Sequence, residues 1–173
     1  MKFLVYQVIL TLLLSGCIRN DKKTSKKELT KAPEILIDSA FNFSFKESTD
    51  FYDSKIGTFT RRYQNSDSTL NIELTKKELN LIEKKYIENG LDTLPRNYTP
   101  TCRVEIMPSF NEIFEVSYKG YKRTFVFNYD YKCENKNTQE IVLNMKVFRE
   151  FVVEILEKRQ NIKELKNSDI MFL

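Results

Sequence analysis

The residues in this chain that could perform catalysis are carboxylates in and near the segment YDYKCENKN, at positions 129–137. Asp130 and Glu134 lie in this segment, and Glu105 is a third candidate. Two carboxylates are sufficient for glycosidases, which need no histidine. Cys133, in the same segment, would need a neighbouring base to become a nucleophile, and the sequence offers none. An enzyme that acts on cell-wall or glycan substrates with carboxylates alone is therefore one alternative.

The composition excludes several other kinds of site. The chain contains no histidine, which removes histidine-assisted serine or cysteine nucleophiles and histidine metal sites. Cys102 and Cys133 cannot build a structural zinc site alone. None of the four glycines belongs to a phosphate-binding loop. We therefore predict a chain that has no catalytic constellation, no metal and no cofactor, and that is not an enzyme.

The N-terminus has the plan of a secretory signal. Lys2 is followed by twelve uncharged residues, FLVYQVILTLLL, at positions 3–14. As a helix these would extend about 18 Å, whereas the hydrocarbon core of a bilayer is about 30 Å thick. The run is therefore too short to span a membrane comfortably and is typical of a signal peptide.

The sequence that closes this run, LSGC at positions 14–17, resembles the lipobox of bacterial lipoproteins. The resemblance implies cleavage between Gly16 and Cys17, and attachment of diacylglycerol and usually a further acyl chain, such as palmitate, to Cys17. Two or three acyl chains together anchor a protein stably to a membrane. The alternative is an ordinary signal peptide that happens to contain a cysteine.

The resemblance also bears on location. In enterobacteria an aspartate directly after the lipidated cysteine retains lipoproteins at the inner membrane, and here Ile18 occupies that position. We therefore expect an anchor in the outer membrane, with the protein facing the periplasm, although either membrane is possible. As a whole the chain is similar in plan to small uncharacterised lipoproteins of the Bacteroidota, and that similarity implies no activity.

The residues after the anchor divide into a tether and one domain. Positions 18–36, IRNDKKTSKKELTKAPEIL, are polar and lysine-rich, a composition that cannot bury a core. Residues 17–36 are thus predicted to be the lipidated cysteine and a flexible tether, and 37–173 a single domain. The domain carries 21 basic and 21 acidic residues. Its neutrality gives no support to nucleic-acid binding.

A disulfide is predicted between Cys102 and Cys133. With Cys17 lipidated, these two are an even pair in an oxidising compartment. The bond would close a loop of about thirty residues and contribute roughly 3 kcal/mol. The alternative is two buried thiols.

Alternating apolar and polar residues predict six strands, at positions 41–46, 56–63, 70–74, 102–106, 114–119 and 121–129. Lys119 and Gly120 are the predicted turn between the last two. Thr75 and Glu78 have the spacing of a capping box and predict a helix to about Asn89. Apolar residues at helical spacing predict a second helix over about 144–159, and QEIVL at 139–143 is either a short strand before it or an extra helical turn. These elements indicate an α+β fold, in the order βββα-βββα, with one antiparallel sheet of about six strands and two helices on one face.

The most favoured function is protein binding. Arg96, Asn97 and Tyr98 have the composition of a binding loop within LDTLPRNYTP at 91–100, and the polar face of the sheet is a second candidate. We expect a non-catalytic, membrane-anchored protein-binding module in the periplasm. One version of it is an immunity or inhibitor lipoprotein. Alternatives are a structural or assembly lipoprotein of an outer-membrane complex, and the carboxylate-based enzyme.

Overall fold

A computed structural model describes residues 41–104, 110–128 and 130–170 of the chain. All of them belong to one compact unit, Leu36–Leu173. The strands are β1 (Asn42–Lys46), β2 (Asp50–Asp53), β3 (Thr58–Arg61), β4 (Ser68–Asn71), β5 (Asn97–Tyr98), β6 (Arg103–Val104), β7 (Glu112–Tyr118), β8 (Tyr121–Phe127) and β9 (Tyr131–Lys132). The helices are α1 (Lys76–Glu88), α2 (Lys136–Glu157) and α3 (Gln160–Lys163), with a 3₁₀ turn at Leu91–Thr93.

The fold is α+β, as predicted, but its main sheet is mixed and has seven strands. Their order is β4-β3-β2-β1-β7-β8-β5, and β6 and β9 form a separate antiparallel pair. Every neighbouring pair in the main sheet is antiparallel except β5 and β8, which are parallel. The prediction of one antiparallel sheet of about six strands is therefore only roughly correct. The described part of the strand expected at 102–106, Arg103–Val104, pairs with β9 outside the main sheet.

Two strands of the main sheet, β2 and β5, lie in segments that the sequence predicts to be loops. β2 has a single inward aromatic residue, Tyr52, which is fully buried. Asp50, which faces the same way, is held by Arg61 of β3, whose Nε and Nη2 donate to its carboxylate at 2.9 and 2.6 Å. Four residues with two aspartates show too little periodicity to be recognised as a strand.

Aromatic side chains from the central strands form the core. Phe43 and Phe45 of β1 are buried together with Phe114 of β7, because alternate residues of a strand point to the same face. The rings of Phe45 and Phe114 lie 5.6 Å apart, and the ring of Phe114 lies 5.4 Å from that of Phe148 in α2. These contacts place α2 on the same face of the sheet as the aromatic core.

The capping box predicted for α1 is confirmed. Thr75 accepts a hydrogen bond from the backbone N–H of Glu78, and the Glu78 side chain accepts one from the backbone N–H of Thr75. Gly90 follows the helix with a φ of 66°, the left-handed conformation that ends many helices.

The second helix begins earlier than its apolar spacing predicts. α2 starts at Lys136, and the side chain of Asn135 caps it by accepting from the N–H groups of Asn137 and Thr138. The first turn is polar and exposed, so it shows no apolar stripe from which its start could be read.

The C-terminal segment packs beside the end of β3 without forming a strand. The carbonyl of Lys166 accepts from Tyr63 Oη at 2.8 Å, and Asp169 accepts from the backbone N–H of Gln64 at 2.8 Å. Asp169 and Ile170 form no strand, and the last three residues lie outside the described part. Within the described ranges, no helix has the length and apolarity needed to cross a bilayer.

Candidate functional site

The sheet has an accessible face, opposite the aromatic core, which we call the open face. On β7 the residues at 112, 114, 116 and 118 are buried, and those at 113, 115 and 117 are only half-buried. The same alternation on β1, β2 and β8 gives the open face its side chains. It comprises Asn42, Ser44, Lys46, Phe51, Asp53, Ile113, Glu115, Ser117, Lys122, Thr124 and Val126.

One end of the open face is a shallow polar depression of about 220 Å³. Lys122 and Glu115 form an exposed ion pair there, at 3.0 Å. The carboxylate of Asp53 accepts from the backbone N–H of Lys55 at 2.8 Å. Two lysines thus face two carboxylates, and Asn42, Ser44 and Ser117 complete the lining. This end offers donors and acceptors with little net charge.

The other end of the open face carries a row of larger side chains that are neighbours in the strand register. Phe51 is paired with Lys46, Lys46 with Ile113, and Ile113 with Val126. Phe51, Ile113 and Val126 are half-buried. Apolar side chains next to polar groups are common in protein-binding surfaces.

The candidate loop Arg96–Tyr98 is mostly an edge strand. The carbonyl of Arg96 accepts from the backbone N–H of Thr124 at 2.7 Å, and Asn97 and Tyr98 form β5. Tyr98 packs against the core, whereas Asn97 and Arg96 are exposed. The guanidinium of Arg96 lies 5.5 Å from the ring centre of Tyr121. Of the three predicted binding residues, Arg96 and Asn97 therefore remain available to a ligand.

A cluster of charged side chains that was not predicted from the sequence lies between α2 and the sheet. Arg149 of α2 forms ion pairs with Glu47, which follows β1, and with Glu112, the first residue of β7. Its Nε donates to Glu112 Oε2 at 3.2 Å. Two carboxylates thus share one guanidinium, and all three side chains are no more than 20% exposed.

The cluster changes the acidity of both glutamates. Burial raises the pKa of Glu112 to about 7; the negative charge of Glu47 adds to the rise and Arg149 opposes it. Burial also raises the pKa of Glu47, against the opposing charge of Arg149. One guanidinium does not compensate for the removal of two carboxylates from water.

Neither Asp130 nor Glu134, two of the three carboxylates predicted as catalytic candidates, forms an ion pair with Arg149 in this cluster. Asp130 is half-buried, Glu134 is exposed, and Glu105 lies outside the described residues. The cavity beside Glu47 and Arg149 has a volume of about 90 Å³. This is room for roughly three waters.

Cys102 and Cys133 lie at disulfide distance, as predicted, with their sulfurs 2.02 Å apart. Cys133 is buried and its carbonyl accepts from Gln139 Nε2 in the first turn of α2. The pair joins the residues before β6 to those before α2. Cys133 is therefore unavailable as a free thiol nucleophile.

Other sequence predictions concern metals and the anchor. Across residues 41–104, 110–128 and 130–170 there is no group of three or more His, Cys, Asp or Glu suited to hold a metal ion. Gly16 and Cys17 lie outside the described residues.

No protein-family model matches the chain, and no curated protein or solved structure is significantly similar to it.

Proposed function

We propose that this protein is a non-catalytic lipoprotein of the bacterial envelope that binds another protein through the open face of its sheet. The observation that carries the proposal is the composition of that face, where a row containing Phe51, Ile113 and Val126 adjoins a depression with the Lys122–Glu115 pair. The apolar row supplies area for desolvation, and the depression supplies hydrogen-bonding groups that fix orientation.

The rigidity of the face supports this role. Its residues lie on strands of a single sheet whose other side packs on a continuous aromatic core. Side chains held in this way lose little conformational freedom when a partner docks, which lowers the entropic cost of association.

The proposed anchor is Cys17, in the outer membrane and with the domain facing the periplasm. The support is the lipobox LSGC at 14–17 and the polar stretch at 18–36 that would hold the domain away from the bilayer. Replacement of Cys17 by Ser should abolish labelling with a palmitate analogue and release the protein from the membrane fraction. Retained labelling would refute the assignment of Cys17.

The partner is proposed to be either an incoming toxin or a cell-wall enzyme, which would make this an immunity or inhibitor lipoprotein. A structural or assembly role in an outer-membrane complex is the alternative. The two differ in what is bound, since an inhibitor reduces its partner's activity on binding and an assembly factor does not.

A capture experiment tests the proposal. The mature protein, purified in non-ionic detergent and immobilised at its C-terminus, is offered solubilised envelope and culture supernatant. We expect one stoichiometric partner, whose capture falls at least tenfold for Phe51→Ala and for Lys122→Glu. Leu143→Ala is the matched control, because Leu143 is 58% exposed on α2, away from the open face. Capture that is equal for all variants would refute the open face as the binding surface.

The enzyme alternative has one supporting observation, the pKa of about 7 for Glu112, which is suitable for a general acid. Hydrolysis of purified peptidoglycan or glycans by the wild type, lost in Glu112→Gln while the variant remains folded, would replace the binding proposal. Equal absence of hydrolysis in wild type and variant would refute the enzyme for the substrates offered.

A further inference from the structure

Two arginines and a tyrosine gather at the corner of the main sheet where β5 meets β8. The guanidinium carbons of Arg96 and Arg123 lie 5.5 and 5.8 Å from the ring centre of Tyr121. The ring is 52% exposed. We call these three residues the arginine–tyrosine patch. They are on the strand faces that point toward the core, but at an end of the sheet where the ring remains in solvent.

The backbone holds the patch in place. β5 pairs in parallel with β8 through Asn97 and Thr124, which fixes Arg96 one residue before the paired position. The side chain of Arg123 is also held in position, because its Nε donates to the carbonyl of Leu94 at 3.2 Å. The patch is therefore already ordered before any ligand arrives.

The positive charge of the patch is not balanced within the described chain. Neither Arg96 nor Arg123 forms an ion pair with a carboxylate of residues 41–104, 110–128 or 130–170. The nearby acidic charges of Asp92 and Glu83 act on Lys119, at the adjacent hairpin turn. Arg123 and Asp92 also both act on the buried hydroxyl of Tyr86, so Arg96 is the less engaged of the two guanidiniums. Two guanidiniums thus lie against one ring with no anion assigned to them.

This arrangement suits a carboxylate. A guanidinium over an aromatic ring keeps its N–H edge available, and that edge matches the two oxygens of a carboxylate. Arginine and tyrosine are also the residue types in which binding energy concentrates at protein interfaces. A pair of carboxylates on one segment would neutralise both guanidiniums.

We infer that the arginine–tyrosine patch binds an acidic segment of a protein, one that presents neighbouring Asp or Glu side chains. The inference deepens the proposed function and rests on it, since the segment would belong to the protein that the open face binds. It specifies a partner whose acidic loop or terminus reaches from the open face around the β5 edge of the sheet to the patch.

The test uses a defined probe, N-acetylated hexaglutamate, titrated calorimetrically into the mature protein in non-ionic detergent at fixed ionic strength. We expect measurable binding that weakens about tenfold in Arg96→Gln and partly recovers in Arg96→Lys, which keeps the charge but loses the fork. Arg62→Gln is the matched control, because Arg62 is exposed and lies outside the patch. It should change the affinity less than twofold.

Several results would overturn the inference. Equal binding by wild type and Arg96→Gln would do so, as would equal losses in Arg96→Gln and Arg62→Gln, which would indicate a general effect of net charge. Tighter Arg96-dependent binding of inorganic phosphate, or of phosphatidylglycerol vesicles, would assign the patch to phosphate groups instead. Partner capture that depends on Phe51 but not on Arg96 would refute the inference and leave the proposed function standing.

Discussion

Arg149 Nε donates to Glu112 Oε2 across 3.2 Å, and this bond joins the middle of α2 to the first residue of β7. The same guanidinium pairs with Glu47. Removal of Arg149 leaves two largely buried carboxylates without their cation, so the cluster affects stability more than exposed ion pairs do.

The raised pKa of Glu112 predicts a pH-dependent stability. Because the pKa is about 7 in the folded state and 4.5 ordinarily, the folded protein retains a proton between these values that the unfolded chain has lost. The stability from this group is complete below pH 4.5 and is lost as the pH rises to about 7. Between pH 5 and pH 8 we expect the free energy of unfolding to fall about 2 kcal/mol less in Glu112→Gln than in the wild type. Urea unfolding at each pH measures the difference.

The matched control is Glu115→Gln, an exposed glutamate on the same strand. Its pH profile should follow that of the wild type. A wild-type profile as flat as that of Glu112→Gln would contradict the assignment.

Replacement of Arg149 by Met should destabilise the protein by about 3 kcal/mol, because two largely buried carboxylates lose their shared cation. Adding Glu47→Gln to this variant should restore part of the loss, since one of the unpaired charges is then gone. Chemical denaturation of the single and double variants measures both effects. A double variant less stable than Arg149→Met would show that Glu47 does not oppose Glu112.

Removal of the Cys102–Cys133 pair should lower the free energy of unfolding by roughly 3 kcal/mol. The double variant Cys102→Ser, Cys133→Ser is compared with the wild type in urea, with and without dithiothreitol. The reductant should destabilise the wild type to the level of the double variant and leave the variant unchanged. A wild type insensitive to dithiothreitol at equilibrium would contradict the bond.

Two substitutions in the turn between β7 and β8 should change the stability of the protein in opposite directions. Lys119 and Gly120 both have positive φ, 49° and 76°, as two-residue hairpin turns require. Gly120→Ala should cost about 1 kcal/mol, although an added Cβ meets no atom within 4 Å. Lys119→Asn should stabilise the protein by about 0.5 kcal/mol, since asparagine tolerates this conformation better than lysine. Thermal unfolding measures both, and a shift of the same sign for the two variants would contradict the argument.

The strands with aromatic alternation were predictable from the sequence because their period of two is strong, as in Phe43–Phe45 of β1 and Phe114–Tyr118 of β7. β5 was not predictable, because a strand of two residues shows no periodicity and forms only by pairing with β8. Tyr121 shares the face of Phe125 and Phe127 and would be expected in the core from its spacing, yet it is exposed.

The charged cluster could not be predicted because its members are far apart in the sequence. Glu112 and Arg149 are separated by 37 residues, and no motif relates them. One signal was available: Glu112 shares its face with Phe114 and Val116, so a charge at a core-facing position required a cation nearby. The identity of that cation depends on how α2 crosses the sheet, which the sequence of neither element specifies.

The position of β1 has a mechanical consequence for a protein held at its N-terminal end. Phe41 leads directly into β1, which is hydrogen-bonded to β2 on one side and to β7 on the other. A pull transmitted through residues 17–36 would load both ladders lengthwise, so that many hydrogen bonds must fail together. A tether attached to an edge strand would instead peel the sheet open one bond at a time. With the anchor proposed at Cys17, attachment through a central strand would let the domain resist tension between the membrane and a bound partner.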